Sequence, residues 1–307
     1  MSNIFDAVRK GQGPITDTVL GALYDASEDL APLLPAAESD LLASMQRNLA
    51  RDFEDQQASP IAAPLDPRKR IRTVPLAIST DCPLLPFDTE NWHASEQYRM
   101  IRTKIIQHTR KLQMVLITSA CAGDGKSVTA INVAGALSLG ADADVLLVDG
   151  DFRRSSVHTR LSLPLTPGVV DVLLNHCKLE DALIRAEQFP NFYILPAGRP
   201  RDNPSDLLET AAWVSLQEQL RQQFRYIIFD CPPIGSVSEY DLLQSACDGV
   251  IVVARPDHTR LDDFLKAVGS IPAGKIVGVV MNRVQDWFLH RPYSSRYDYP
   301  HEEVRQA

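Results

Sequence analysis

The sequence predicts an α/β protein: a mostly parallel β-sheet with helices on both faces, preceded by a loosely structured N-terminal arm. Two observations carry that expectation. Apolar runs of strand length, such as 145–148, 226–229 and 249–254, lack polar alternation and are separated by helical patterns. A sheet covered on both faces reads that way. In addition, the apolar run at 115–117 leads through a glycine-containing turn directly into a helix-forming segment, 128–139. A hydrophobic content of 45% over 307 residues is ample for a packed core.

In chain order, residues 1–90 form the expected arm. Short amphipathic stripes at Ile4, Phe5 and Val8 and at Leu41, Leu42 and Met45 are separated by Pro-, Ala- and Asp-rich stretches. Four prolines between Pro60 and Pro75 interrupt regular structure. The basic run Arg68, Lys69, Arg70, Arg72 reads as a solvated linker or as a contact for an acidic surface. Residues 91–286 form the expected folded α/β domain. It opens on a helix over 92–112, with Tyr98, Ile101, Ile105 and Leu112 at core-facing spacing. Glu96, Arg99 and Arg102 form E-x-x-R-x-x-R on that helix, either a surface pair or an intersubunit contact.

The next segment, M-V-L-I-T-S-A-C-A-G-D-G-K-S-V-T, is a strand, a loop and a helix start. Ala120-x4-Gly125-Lys126-Ser127 fits a phosphate-binding loop with Ala in place of the first Gly. Gly123 and Gly125 let the backbone curl so that successive N–H groups face an anion, and the helix N-terminus adds partial positive charge. Ala122, Gly123, Asp124, Gly125, Lys126, Ser127 and Val128 would then cradle ATP or GTP. Lys126 would serve the β- and γ-phosphates, and the Ser127 hydroxyl would serve Mg²⁺.

Beyond the loop, the strand 145–148 ends in Asp149-Gly150-Asp151-Phe152-Arg153-Arg154. Helical patterns follow at 169–174 and 179–186, then a short strand at 192–195. A turn-rich loop feeds a helix that Asn203 or Ser205 could cap. The strand 226–229 ends in Asp230-Cys231-Pro232-Pro233. Two further helix–strand pairs, 241–246 with 249–254 and 261–268 with 275–280, complete the pattern. Ligands of such sheets sit beyond the carboxyl ends of the strands. Asp149, Asp151 and Asp230 all fall there, beside the phosphate loop, where carboxylates can hold Mg²⁺ directly or through water. Phosphoryl transfer needs positioning and charge neutralisation more than a strong base, so an Asp suffices even for a tyrosine acceptor.

The net charge of −8 argues against non-specific nucleic-acid binding. Five cysteines, odd in number and without C-x-x-C spacing, read as reduced cytosolic thiols rather than a zinc site or disulfide framework. The N-terminus lacks an apolar secretory core, and no apolar run approaches the roughly 18 residues that span a bilayer. The expectation is a cytoplasmic protein, recruited to the membrane's inner face only through a partner.

The set G-D-G-K-S, L-L-V-D-G-D-F-R-R and Y-I-I-F-D-C-P-P, with E-x-x-R-x-x-R, I-L-P-A-G-R-P-R-D-N-P-S-D-L-L and V-G-V-V-M-N-R-V, resembles the bacterial tyrosine kinases of capsule and exopolysaccharide synthesis. The likeness runs from about Glu96 to Val284. It implies a P-loop NTPase-like fold of the deviant Walker (SIMIBI) type and an ATP- and Mg²⁺-dependent protein-tyrosine autokinase. In that family's pattern Lys126 and Ser127 are Walker A residues, Asp149 and Asp151 the Walker A′ acids, and Asp230 the Walker B acid. These acids, with Ser127, would serve the metal, one of the A′ pair would activate the acceptor, and Asn282 would contact adenine. Glu96, Arg99 and Arg102 would support a homo-oligomeric ring presenting tails between protomers, and a membrane polysaccharide co-polymerase would be the activating partner. The tail, 287–307, departs from the family's dense tyrosine cluster: it holds Tyr293, Tyr297 and Tyr299, three of the chain's eight tyrosines. Two other readings compete. One is a partitioning or septum-site type ATPase switch, which would carry a lysine where Cys121 stands here. The other is a nucleotide-binding scaffold without catalysis.

Overall fold

The structure, a computed structural model, describes residues 71–77, 92–140 and 143–284. The tail tyrosines Tyr293, Tyr297 and Tyr299 and all of the arm before residue 71 lie outside the described residues.

One eight-stranded sheet organises the described chain, in the order β1-β4-β5-β3-β6-β2-β7-β8. Its strands are β1 (Arg72–Val74), β2 (Met114–Ser119), β3 (Val145–Asp149), β4 (Ile184–Ala186), β5 (Phe192–Leu195), β6 (Tyr226–Asp230), β7 (Gly249–Ala254) and β8 (Ile276–Met281). Every pairing is parallel except β4 with β5. The inner strands β2, β3, β5, β6 and β7 are buried along their whole length. Their continuous apolar runs have the cause inferred from sequence: both faces are covered.

Alternate residues feed two cores. Met114, Leu116, Leu146, Val148, Ile227 and Phe229 face one side, under α4 (Val169–Leu173), α7 (Ala211–Gln223) and α8 (Glu239–Ala246). Val115, Ile117, Val145, Leu147 and Ile228 face the other, under α1 (Trp92–Ile106) and α2 (Lys126–Ser138). Helix α2 is buried nearly all round, from Ser127 to Leu137, as an apolar, Ala-rich helix between a sheet and another helix must be. The remaining helices are α3 (Val157–Arg160), α5 (Leu179–Ala182), α6 (Ser205–Leu208) and α9 (Leu261–Ser270).

Several local expectations change. The first helix stops at Ile106, and Leu112 reaches the core from the following turn. Within the span assigned to the arm, Arg72–Val74 forms the edge strand β1, because β4 offers it a parallel partner. The helix expected over 179–186 ends at Ala182, and Ile184–Ala186 instead becomes β4. That strand exists through pairing with β1 and β5, a tertiary gain that local helical spacing does not register. Neither Asn203 nor Ser205 caps a helix: Pro204 stands at the N-cap of α6, and Thr210 caps α7, accepting from the Trp213 amide at 3.4 Å.

From β2 the chain crosses to β3 on one side, and from β6 it crosses to β7 on the other. β2 and β6 are neighbours, so a crevice opens beyond their carboxyl ends.

Candidate nucleotide and phosphoryl-transfer site

The phosphate loop closes the crevice between β2 and α2. Gly123 and Gly125 adopt φ of 93° and 100°, the left-handed region that a Cβ disfavours. At Gly125 a Cβ would also lie 1.9 Å from Asn282 Nδ2, so glycine is required twice over. The first-turn amides of α2 have no intrahelical acceptors and are the donors an anion would meet.

Side chains fix the loop from behind. Asp124, fully buried, accepts from the Cys121 amide at 2.9 Å and from Thr259 Oγ at 2.7 Å, the latter from the turn before α9. His258 approaches the Ala122 carbonyl at 2.9 Å through Nε2. Asn282, at the end of β8, donates to the Asp124 carbonyl at 2.8 Å and accepts the Arg283 amide at 2.9 Å. Asp124 therefore serves as a brace whose side chain points inward. Asn282 clamps the loop while also lining the cleft.

Three strand-end carboxylates surround the Lys126 ammonium. Asp151 Oδ2 lies 2.9 Å from Nζ and Asp230 Oδ1 3.7 Å. Burial disfavours the Lys126 charge, but Asp230, Asp151 and Asp149 outweigh it and hold its pKa above the usual value. Asp149 and Asp230 pair across β3 and β6 and are completely buried. Asp149 is well satisfied: Oδ1 accepts the Asp151 amide at 3.2 Å, and Oδ2 accepts Ser155 Oγ at 2.7 Å and the Val157 amide at 3.1 Å. Burial still pushes its carboxyl up against those hydrogen bonds. Asp230 has no such support. Neither oxygen has a donor in good hydrogen-bond geometry, and burial pushes its pKa up to about 7 although Lys126 and the Ser127 hydroxyl pull the other way.

Two buried acceptors without donors, beside a hydroxyl and a second carboxylate, fit a hydrated Mg²⁺. Among the described residues, no group of three acidic, His or Cys side chains could hold a metal alone. Mg²⁺ does not ask for that, since it keeps waters and takes substrate phosphate oxygens.

In front of this cluster lies a cleft of about 820 Å³. Of the residues singled out from sequence, Ala122, Gly123, Gly125, Lys126, Ser127, Val128, Asp151 and Asn282 line it. Asp149 and Asp230 stand behind at the strand ends, while Glu96, Arg99 and Arg102 belong to α1 and do not contribute. Glu96 and Arg99 pair at 3.2 Å on the surface; Arg102 donates to the Ala136 carbonyl at 3.4 Å, near the end of α2. Residues that sequence inspection passed over include Thr259, His258, Ser155 and Glu239. The last, almost fully buried at the start of α8, holds Arg153 at 2.9 Å. None belongs to a local motif; each reaches the site from a different loop or helix.

The family profile described as an AAA domain matches residues 112–271. Tyrosine-protein kinase YwqD of Bacillus subtilis is 35% identical over 192 residues, covering 61% of this chain and 80% of that protein. The chain belongs to the bacterial tyrosine-protein kinase family. Tyrosine-protein kinase CpsD of Streptococcus agalactiae is 30% identical over 194 residues, covering 62% of this kinase and 84% of that one. Among solved structures, the chimerical protein CapA2B2 superposes with a TM-score of 0.63 at 29% identity, over 76% of this kinase and 98% of that chain. The VpsO kinase domain does so with a TM-score of 0.57 at 28% identity, over 64% and 100%. The kinase is thus a P-loop, nucleotide-binding enzyme that phosphorylates protein tyrosine. No helix among its described residues is long and apolar enough to cross a membrane.

Proposed function

We propose that this kinase uses ATP and Mg²⁺ to phosphorylate Tyr293, Tyr297 and Tyr299 in the tail of a neighbouring copy. We further propose that this reaction regulates exopolysaccharide or capsule synthesis and export. The observation that carries the reading is the convergence of Lys126, Asp149, Asp151 and Asp230 on one crevice behind a braced phosphate loop.

In this reading Lys126 and the amides of residues 122–128 hold the triphosphate, with Asn282 on the adenine side. Ser127, Asp230 and the Asp149–Asp151 pair would hold Mg²⁺, which neutralises charge on the phosphate oxygens. The γ-phosphorus–oxygen bond to ADP breaks as a bond to the tyrosine Oη forms, and the phenol proton passes to a carboxylate of the Asp149–Asp151 pair. ADP leaves. Asp151 lines the cleft, and its contact with Lys126 would couple phosphate binding to the acceptor side.

Glu96, Arg99 and Arg102 on α1 would contribute to a ring of subunits. The cytoplasmic part of a membrane co-polymerase would be the activating partner, bringing the kinase to the inner face of the membrane. Incubating wild type and Lys126→Met with labelled ATP and mapping phosphotyrosine tests the core of this. Tail label that depends on Lys126 supports it; released phosphate without tyrosine label returns the protein to an ATPase switch.

A further inference from the structure

The cleft carries more positive charge than the carboxylates around it balance. Its lining holds five cations, Lys126, Arg153, Arg154, Arg160 and Arg283, against a single acid, Asp151. Lys126 is matched by Asp151 and Asp230, and Arg153 by Glu239. Among the described residues, Arg154, Arg160 and Arg283 have no carboxylate partner; Arg283 follows β8 beside Asn282, and the Nε of Arg160 is shielded from solvent with no acceptor.

Arg154 and Arg160 belong to neither the phosphate loop nor β8. Both follow β3 on the segment that carries Asp151. The Arg154 amide donates to Asp151 Oδ1 at 3.0 Å, and Arg160 ends α3. An anion meeting them would lie on the Asp151 side of the cleft, where the proposed mechanism puts the acceptor. A guanidinium with an unmet N–H in a partly desolvated wall favours a carboxylate strongly.

We propose that Arg154 and Arg160 select the acceptor by binding acidic residues that flank the target tyrosine. The inference rests on the tyrosine-kinase reading above. The tail differs along its length in the feature this would recognise. Tyr293 lies between Arg291 and Arg296, whereas Tyr299 follows Asp298 and precedes Glu302 and Glu303. The arginines then make Tyr299 the first acceptor and Tyr293 the last.

The test uses full chains in two roles. The enzyme carries Tyr293→Phe, Tyr297→Phe and Tyr299→Phe, so that label lands only on the acceptor. The acceptor carries Lys126→Met, with either the natural tail or Asp298→Lys, Glu302→Lys and Glu303→Lys. With labelled ATP and Mg²⁺, the natural tail should be labelled at Tyr299 before Tyr293. Reversing its charges should lower the initial rate by about tenfold. An enzyme that also carries Arg154→Glu and Arg160→Glu should label the natural tail poorly and the reversed tail faster. Equal rates on both tails, or first labelling at Tyr293, overturn the inference without touching the kinase reading, and do so whether or not the arginine variant folds. A variant enzyme that keeps the natural preference but needs more ATP also overturns it, assigning the arginines to the nucleotide. If no acceptor tyrosine is labelled at all, the in-trans kinase reading falls, and the inference with it.

Discussion

Asp230 shows most clearly how burial sets the state of one residue. A carboxyl without a well-aligned donor, entirely out of water, is destabilising to the fold when ionised. Its pKa stands at about 7, against 3.8 for an ordinary Asp. A raised carboxyl pKa makes a contribution to stability that is complete below the ordinary value and is lost as pH rises through the folded one. In nucleotide-free protein that loss falls between about pH 4 and pH 7. Asp230→Asn should therefore raise the Tm of nucleotide-free protein at pH 8, by about 2–4 °C, and remove most of the pH dependence this residue causes. The same change should abolish tyrosine labelling. If Asp230 holds Mg²⁺ as proposed, the metal needs the ionised carboxylate, so wild-type Mg²⁺ affinity should climb with pH up to about 7 and then level off, as calorimetric titration at several pH values would show. Lower stability of the Asn variant at pH 8 would contradict the account.

At the scale of elements, the phosphate loop is held by segments that follow it by more than 100 residues. Thr259, before α9, donates to Asp124 and accepts the Arg255 amide at 2.8 Å, so one hydroxyl ties the loop to the end of β7. Thr259→Val keeps the side chain's shape but leaves a buried Asp124 oxygen without its donor. We expect a loss of about 1–3 kcal/mol in denaturant unfolding and a higher KM for ATP. Gly125→Ala should be more severe for binding, since the backbone conformation and the contact with Asn282 both exclude a Cβ. A second brace joins β2 to α7: Asp248 accepts the Gln113 and Met114 amides and a two-pronged contact from Arg221. Burial acts to raise the Asp248 pKa, but those hydrogen bonds outweigh it and hold the pKa below 3.8. Its stabilising contribution is present above that value and fades as pH falls through the lower folded one. Asp248→Asn should accordingly cost more stability at pH 7 than at pH 3, measured by urea unfolding.

For the whole molecule, the proposed ring and the tail make opposing demands. Each phosphate added to Tyr293, Tyr297 or Tyr299 brings roughly −1.5 to −2 charges. Product tails beside Asp149, Asp151 and Asp230 of the next subunit would be repelled, although Arg154 and Arg160 would attract the new phosphates. Fully phosphorylated, nucleotide-free protein should elute later than unphosphorylated protein in size-exclusion chromatography. Identical elution would remove the support for tail-controlled assembly. Glu96→Ala together with Arg99→Ala should weaken assembly with little loss of monomer stability, because an exposed pair of this kind contributes only about 0–1 kcal/mol. Arg102→Ala combines two effects, since Arg102 also packs on Gly140 and the end of α2 within its own subunit.

The sequence by itself determined the parts whose information is local. Fully apolar runs identified β2, β3, β6 and β7, and glycines before Lys126 and Ser127 identified the phosphate loop. Acids closing the apolar strands identified Asp149, Asp151 and Asp230. In each case a few adjacent residues specify both a backbone state and a chemistry. Only the tertiary structure decided that Ile184–Ala186 is a strand, that Asp124 and Asn282 hold the loop, and that Asp149 is hydrogen-bonded where Asp230 is not. It also showed that, among the described residues, three arginines of the cleft lack carboxylate partners. Each of these depends on which distant groups arrive at hydrogen-bonding distance once the sheet has assembled, and no spacing along the chain encodes that distance.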